Sequence, residues 1–117
     1  MPFASLMYDP STIGVELAET ITSAIPDIIA ASFVGKTEIP LPASHVTMIT
    51  RKKGKCDISS SEIYLTIWSK SSEQREKNKD VIAKEISRRI RNITGASRRL
   101  SNEVCLILGS MGFADSD

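Results

Sequence analysis

The sequence is poor in the residues from which disulfide frameworks and metal sites are built. Its 117 residues include two cysteines and one histidine. Cys56 lies in a polar stretch and Cys105 in an apolar one, so their placement suggests neither a disulfide framework nor a set of metal ligands. We therefore expect two free thiols, no metal and no cofactor.

Long apolar runs are also missing. The most hydrophobic stretches are short and interrupted, and the first residues contain Asp9 but no basic segment. This excludes a recognisable membrane helix or secretory signal, and we expect a cytoplasmic protein with no membrane partner. A hydrophobic content of 41% and a charged content of 25% are typical of a globular domain.

Positive charge is absent from the first part of the chain. Residues 1–34 contain no lysine or arginine, so the net charge of +1 conceals basic groups further on. These groups cluster at 51–55 (RKKGK) and between Lys84 and Arg99. Because no aromatic residues are interleaved with them and no nucleic-acid motif is present, we interpret them as solvated surface. Nucleic acid is not the expected partner.

The first half of the chain predicts a strand, a helix and a second strand. FASLMY (3–8) is strand-like and stops at the turn signal Asp9-Pro10, after which Ser11 or Thr12 is placed to cap a helix. Pro26 is expected to kink or restart this helix, and Gly35 to end it. HVTMIT (45–50) is the next strand. The apolar positions of the helix recur every three or four residues: Val15, Ala18, Ile21, Ile25, Ile28 and Ile29.

The second half repeats this order. EIYLTIW (62–68) and EVCLIL (103–108) are predicted strands, and Ser71 with Gln74 suggests the capping box of a helix that ends at Gly95. Arg75, in the first turn, is expected to be solvated. The apolar stripe of this helix consists of Val81, Ile82, Ile86, Ile90 and Ile93.

Two tandem βαβ units result, each with a right-handed crossover between parallel strands. We predict an α/β (α+β) fold in one domain, residues 1–117, with a pseudo-repeat of 1–55 and 60–110. Its four-stranded mixed sheet carries two helices on one face. The other face is left apolar, and another sheet or another subunit must cover it.

Pro2 stands at the start of the first predicted strand. Proline is harmless at the first residue of an edge strand, where no ladder hydrogen bond is needed. If Met1 were removed, Pro2 would instead become a free secondary amine that could act as a base. The residue itself leaves both interpretations open.

Two short segments resemble the tautomerase superfamily. One is Met-Pro followed by an apolar residue, and the other is SKSSEQREK (69–77), which is similar to the Gly-Arg-Ser/Thr-x-Glu-Gln pattern that opens a helix in that family. The resemblance is to the long form with two fused βαβ units, as in proteins like macrophage migration inhibitory factor or 5-carboxymethyl-2-hydroxymuconate isomerase. It implies a homotrimer with active sites near the subunit interfaces. It also implies that Met1 is removed and that Pro2 is the catalytic base, shuttling a proton on a small enol or 2-keto acid.

The resemblance also suggests three groups that bind the anionic substrate. Lys70 matches the motif arginine, Lys36 follows the first helix as an active-site lysine does in the family, and His45 begins the second strand near a family arginine. Each has an alternative role: Lys70 as an exposed loop lysine, Lys36 as a cation at a helix C-terminus, and His45 as a strand-end histidine. Glu103 stands where an arginine could be expected. Since lysine cannot reproduce an arginine fork, monocarboxylates or aromatic enols are expected rather than dicarboxylates.

Other functions remain open from the sequence. A catalytically inactive homotrimer of the same fold could serve as a binding or structural module. The strand and helix order also fits a ferredoxin-like ligand-binding domain. Decarboxylase or dehalogenase chemistry, which some superfamily members perform, is not distinguished from isomerase chemistry.

Overall fold

A computed structural model describes residues 2–58, 60–93 and 100–110. Strand β1 is Phe3–Tyr8, helix α1 is Val15–Phe33, a 3-10 turn is Ala43–His45, β2 is Thr47–Lys52, β3 is Ile63–Lys70, α2 is Glu73–Arg91 and β4 is Asn102–Gly109. The predicted order of elements is confirmed. The first strand has the predicted bounds, and the other strands differ by no more than two residues at either end.

The four strands form one mixed sheet in the order β2-β1-β3-β4. Within each βαβ unit the two strands are parallel neighbours, and β1 joins the units by pairing antiparallel with β3. In a split βαβ arrangement of the ferredoxin-like type another strand lies between the two parallel strands. The ferredoxin-like alternative is therefore wrong.

The core lies between the sheet and the two helices. Alternate residues of β1 and β3, such as Leu6 and Leu65, are fully buried on the helix side. The helices pack against each other and against this side of the sheet. Their buried isoleucines recur at helical spacing: Ile21, Ile25 and Ile29 on α1, and Ile82, Ile86 and Ile90 on α2.

Helix α1 differs from its prediction at the start, and it does not restart in the middle. Ser11 does not cap it, because its N–H and Oγ both donate to Asp9 Oδ1, at 3.0 and 2.7 Å, and the helix begins after Gly14 without a side-chain cap. Pro26 lies inside a continuous helix. The lost hydrogen bond is tolerated because buried residues on both sides of Pro26 hold the turns against the core. The helix ends before Gly35, which adopts the left-handed φ of 75°.

Helix α2 is capped one residue later than predicted. Ser72 Oγ, not Ser71, accepts from Arg75 N at 3.2 Å. Val81 was assigned to the apolar stripe but is 52% exposed, because it lies about 100° around the helix from Ile82. The predicted end at Gly95 falls outside the described residues.

The second face of the sheet is uncovered, as predicted. It carries apolar and aromatic side chains from all four strands, among them Phe3, Trp68, Ile49 and Ile107. Ile49 is 51% exposed and Ile107 is 43% exposed. We call this surface the open face.

Both cysteines are free thiols, as expected. Cys56 is exposed, and Cys105 is half-buried in β4. In the ranges that the structure describes, no helix has both the length and the apolar character needed to span a bilayer.

Candidate active site

Pro2 is buried at one end of the sheet. Its carbonyl oxygen accepts a hydrogen bond from Thr47 N at 3.0 Å, which continues the pairing of β1 with β2. Because β1 is a central strand, the edge-strand explanation of this proline does not apply. Phe3 pairs with Trp68, so the next position of the same antiparallel register places Pro2 beside Ser69. Both residues are buried on the helix side of the sheet.

Several segments meet at this end of the sheet, which we call the Pro2 end. They are the last residues of β3, the start of α2, the segment 36–42 that follows α1, and the 3-10 turn before β2. All three predicted substrate-binding residues lie in these segments. Lys70 ends β3, Lys36 begins the segment after α1, and His45 lies two residues before Thr47.

The three residues differ in their contacts. Lys70 is exposed and follows the buried Ser69, so it extends toward the open face in line with Trp68. His45 is exposed at the end of its turn. Lys36 Nζ donates to the carbonyl oxygen of Ser32 at 3.3 Å, which is the helix C-terminal arrangement named above as its alternative role.

Arg75 is the main residue whose role the sequence prediction missed. It was expected to be solvated, but it is only 4% exposed. Its guanidinium donates to Thr37 Oγ1 at 2.7 Å, Ser69 Oγ at 2.9 Å, the Lys70 carbonyl at 3.0 Å and the Ile39 carbonyl at 3.1 Å. Helical spacing could have predicted the burial of Arg75. It is seven residues before Ile82 and therefore lies on the buried face of α2.

The aromatic ring of Phe33 supports this arginine from the end of α1. The guanidinium carbon lies 5.1 Å from the ring centroid, a cation–π distance. Burial lowers the pKa of Arg75, yet a guanidinium remains ionised in proteins. A permanent positive charge is thus fixed inside the Pro2 end.

Glu38 is a second residue that the sequence prediction missed. Its Oε1 accepts from Ser72 Oγ at 2.7 Å and from Gln74 N at 3.2 Å, so the carboxylate binds the N-terminus of α2. The hydrogen bond from Ser72 is the main cause that lowers the pKa of Glu38. Arg75 and Glu38 together fasten the segment after α1 to the neighbouring strand and helix.

An apolar depression of about 360 Å³ opens beside the Pro2 end on the open face. Phe3 and Trp68 form one side of it, with ring centroids 5.3 Å apart and planes inclined by 49°. Ile107 and Gly109 belong to its lining. The depression can accept a flat apolar group. Among the described residues no three His, Cys, Asp or Glu side chains cluster to hold a metal ion.

This architecture is shared with solved enzymes of low sequence identity. 5-Carboxymethyl-2-hydroxymuconate delta-isomerase superposes with a TM-score of 0.64 at 11% identity, over 100% of this chain and 88% of that chain. The chain has the tautomerase-superfamily fold. A macrophage migration inhibitory factor-like protein from Entamoeba histolytica gives a TM-score of 0.59 at 15% identity, over 98% and 96% of the two chains.

The tautomerase-superfamily fold is also that of a fused 4-OT protein whose structure is a symmetric trimer. It gives a TM-score of 0.59 at 12% identity, over 93% of this chain and 85% of that chain. No protein-family model and no curated protein matches the sequence. At these identities the similarity establishes the fold, and the site must be argued from the residues of this chain.

Proposed function

We propose that this protein is a keto–enol tautomerase that acts on a small carboxylate-bearing enol or 2-keto acid. The observation that carries the proposal is the position of Pro2, buried at the end of a central strand and next in register to Ser69, which binds the Arg75 guanidinium. Pro2 is the general base after removal of Met1, which lies outside the described residues. Kinship in fold to a muconate isomerase supports the same kind of reaction.

The chemistry follows from the environment of the amine. An N-terminal amine ordinarily has a pKa of about 7.7–8.0, and both burial and nearby positive charge disfavour its protonated form. The lone pair of Pro2 would then be free near pH 7 to take the proton from the enol oxygen and deliver it to carbon, which gives the ketone, or to do the reverse. A base of this kind contributes about 10²–10⁴-fold to the rate. If Met1 were retained, the nitrogen of Pro2 would belong to a peptide bond. Its lone pair would be delocalised into the carbonyl group, so the nitrogen would not be basic.

Cationic groups at the Pro2 end supply the second requirement, which is stabilisation of the carboxylate and of the developing enolate. Lys70 is best placed, because it is exposed beside the apolar depression. Lys36 contributes when its ammonium leaves the Ser32 carbonyl, and His45 is a further candidate. The Phe3 and Trp68 rings favour an aromatic enol acid over a dicarboxylate.

We further propose that the active form is a homotrimer. The open face exposes apolar side chains on all four strands, and a surface of this kind is typical of a subunit interface. The symmetric trimer of the fused 4-OT protein supports this assembly. Each chain would contribute residues 1–117 as a single domain with two pseudo-repeats, and the free thiols are compatible with a cytoplasmic location.

The test is ketonisation of phenylenolpyruvate, followed by ultraviolet absorbance, with intact mass measured on the same sample. We expect a mass without Met1 and measurable turnover. Pro2→Ala exchanges the rigid secondary amine for a mobile primary one and should lower kcat/KM, and a glycine added before Pro2 should lower it by about 10²-fold or more. Pro10→Ala is the matched control, since Pro10 is exposed after the other end of β1, and it should keep wild-type turnover. An unchanged rate in Pro2→Ala would contradict the assignment of Pro2 as the base, and no turnover by the wild type would refute the enzyme assignment.

One observation favours a second candidate, an inactive module with the same fold. Lys36 is engaged by its own helix, which removes one of the few cations available to a substrate. This candidate predicts a trimer of normal stability with no turnover of any enol acid. The same assay therefore separates the two functions.

A further inference from the structure

We propose that the buried charge of Arg75 keeps the Pro2 amine neutral at pH 7, which makes Arg75 a positioning residue for the reaction. The inference rests on the proposed function, because it concerns the base of that reaction. Arg75 is not part of the lining of the open depression; it contacts one lining residue, Ser69, from the helix side of the sheet. Its effect on catalysis would therefore pass through Pro2.

The charge of Arg75 is fixed and is not neutralised by a bonded carboxylate. Its four hydrogen bonds end on two hydroxyls and two backbone carbonyls. Glu38, the acid that interacts electrostatically with Arg75, forms its hydrogen bonds with Ser72 and the N-terminus of α2 instead. A buried arginine held by neutral oxygens retains a positive potential that reaches its neighbours.

Ser69 connects this charge to Pro2. Its Oγ accepts from Arg75 Nη1 at 2.9 Å, and the register of Phe3 with Trp68 places Ser69 next to Pro2 on the same side of the sheet. In surroundings of effective dielectric constant about 20, a unit charge on a neighbouring residue shifts a titration midpoint by on the order of one pH unit. Because the neighbour is a cation, the shift is downward.

The other charged groups at the Pro2 end should affect the titration of the Pro2 amine less than Arg75 does. They are Lys36 and Glu38 from the segment after α1, His45 before β2, Lys70 of β3, and Glu73 and Glu76 of α2. All of these are exposed except Lys36, which is half-buried, so water and salt screen them more than they screen Arg75. Among the described residues, β1 and β4 carry no charged side chain at the Pro2 end.

The test is a direct titration of the Pro2 nitrogen by ¹⁵N NMR in proline-labelled protein that begins at Pro2. Arg75→Met should raise the midpoint by about one pH unit. Arg75→Lys keeps the charge and should stay close to wild type. Arg75→Gln removes the charge but keeps amide donors, so it should also raise the midpoint and serves as the second variant if Arg75→Met does not fold. Glu38→Gln removes a negative charge and should move the midpoint down.

Arg88→Met is the matched control, because Arg88 is an exposed arginine on the same helix. It should leave the midpoint unchanged. The acid limb of kcat/KM should follow the NMR midpoints in every variant. If the charge-removing variants titrate like Arg88→Met while Pro2→Ala still lowers turnover, this inference is wrong and the proposed function stands. If the midpoints move as expected but Pro2→Ala keeps full turnover, the charge coupling stands and the assignment of Pro2 as the base fails.

Discussion

Arg75 and Ser69 are joined by a hydrogen bond of 2.9 Å that links helix α2 to the strand beside Pro2. The same guanidinium holds Thr37 and the Ile39 carbonyl, so one side chain fastens three segments. A buried arginine in this position has a structural effect and an electrostatic effect. The two can be separated by experiment.

Arg75→Met should lower the free energy of unfolding by about 2–4 kcal/mol, because the buried acceptors lose their donor. Chemical denaturation measures the change. Arg88→Met should change the free energy of unfolding far less, since Arg88 forms an exposed ion pair with Glu85 at the surface. Equal losses in the two variants would mean that the buried contacts of Arg75 contribute little.

The isoleucine stripe of α2 should dominate the stability of the helix layer. Ile86→Ala is expected to destabilise the fold by about 2–5 kcal/mol, since Ile86 is fully buried. Val81→Ala, five residues earlier and 52% exposed, should change stability by no more than about 0.5 kcal/mol. Thermal and denaturant unfolding of both variants test this ordering, and a reversed order would contradict the packing.

The open face should control assembly. Ile107→Glu places a charge among the apolar side chains of that face and is expected to convert the trimer into monomers in sedimentation velocity. Val81→Glu makes a comparable change at an exposed position on the helix side and should leave the trimer intact. A trimer that tolerates Ile107→Glu, or a wild-type protein that sediments as a monomer, would contradict the proposed interface.

Glu85 should make stability depend on acid pH. Hydrogen bonds from Arg88 and Arg89, at 2.7 and 2.9 Å, lower its pKa from 4.5 to about 2. Because the folded-state pKa lies below the unfolded-state value, the contribution is complete above about pH 4.5 and is lost as the pH falls through about 2. The stability difference between wild type and Glu85→Gln should therefore be constant near neutrality and shrink in acid.

Denaturation at several pH values measures this difference. The effect should also weaken in about 1 M salt, since the ion pairs are partly exposed. If the difference is the same at about pH 2 and at pH 7, Glu85 does not contribute through its charge.

The sequence predicted the elements of this fold because their signals are local. Alternation in β1 and the spacing of Ile82, Ile86 and Ile90 decide which residues face the core, and both are visible without the structure. The helix does not restart after Pro26, because propensity measures the cost of the proline but not the packing that offsets it. Ser11 does not cap helix α1 as predicted, because its N–H and hydroxyl donate to Asp9 instead.

The site was less predictable, since it depends on which segments meet. Pro2 and Lys70 could be proposed from short motifs and His45 from its position at the start of the second predicted strand, and all three lie at one end of the sheet. The contacts of Arg75 with Thr37 and Ile39 join residues more than 30 positions apart. No local pattern gives the partners of such a contact, although helical spacing does place Arg75 on the buried face of α2.

The most direct measurement compares two preparations that differ by one residue in front of Pro2. One begins at Pro2, and the other keeps a single glycine in front of it after removal of a cleavable tag. We expect ketonisation of phenylenolpyruvate in the first preparation and a loss of about 10²-fold or more in the second, because the added residue turns the amine into an amide. Equal rates in the two preparations would contradict the assignment of Pro2 as the base.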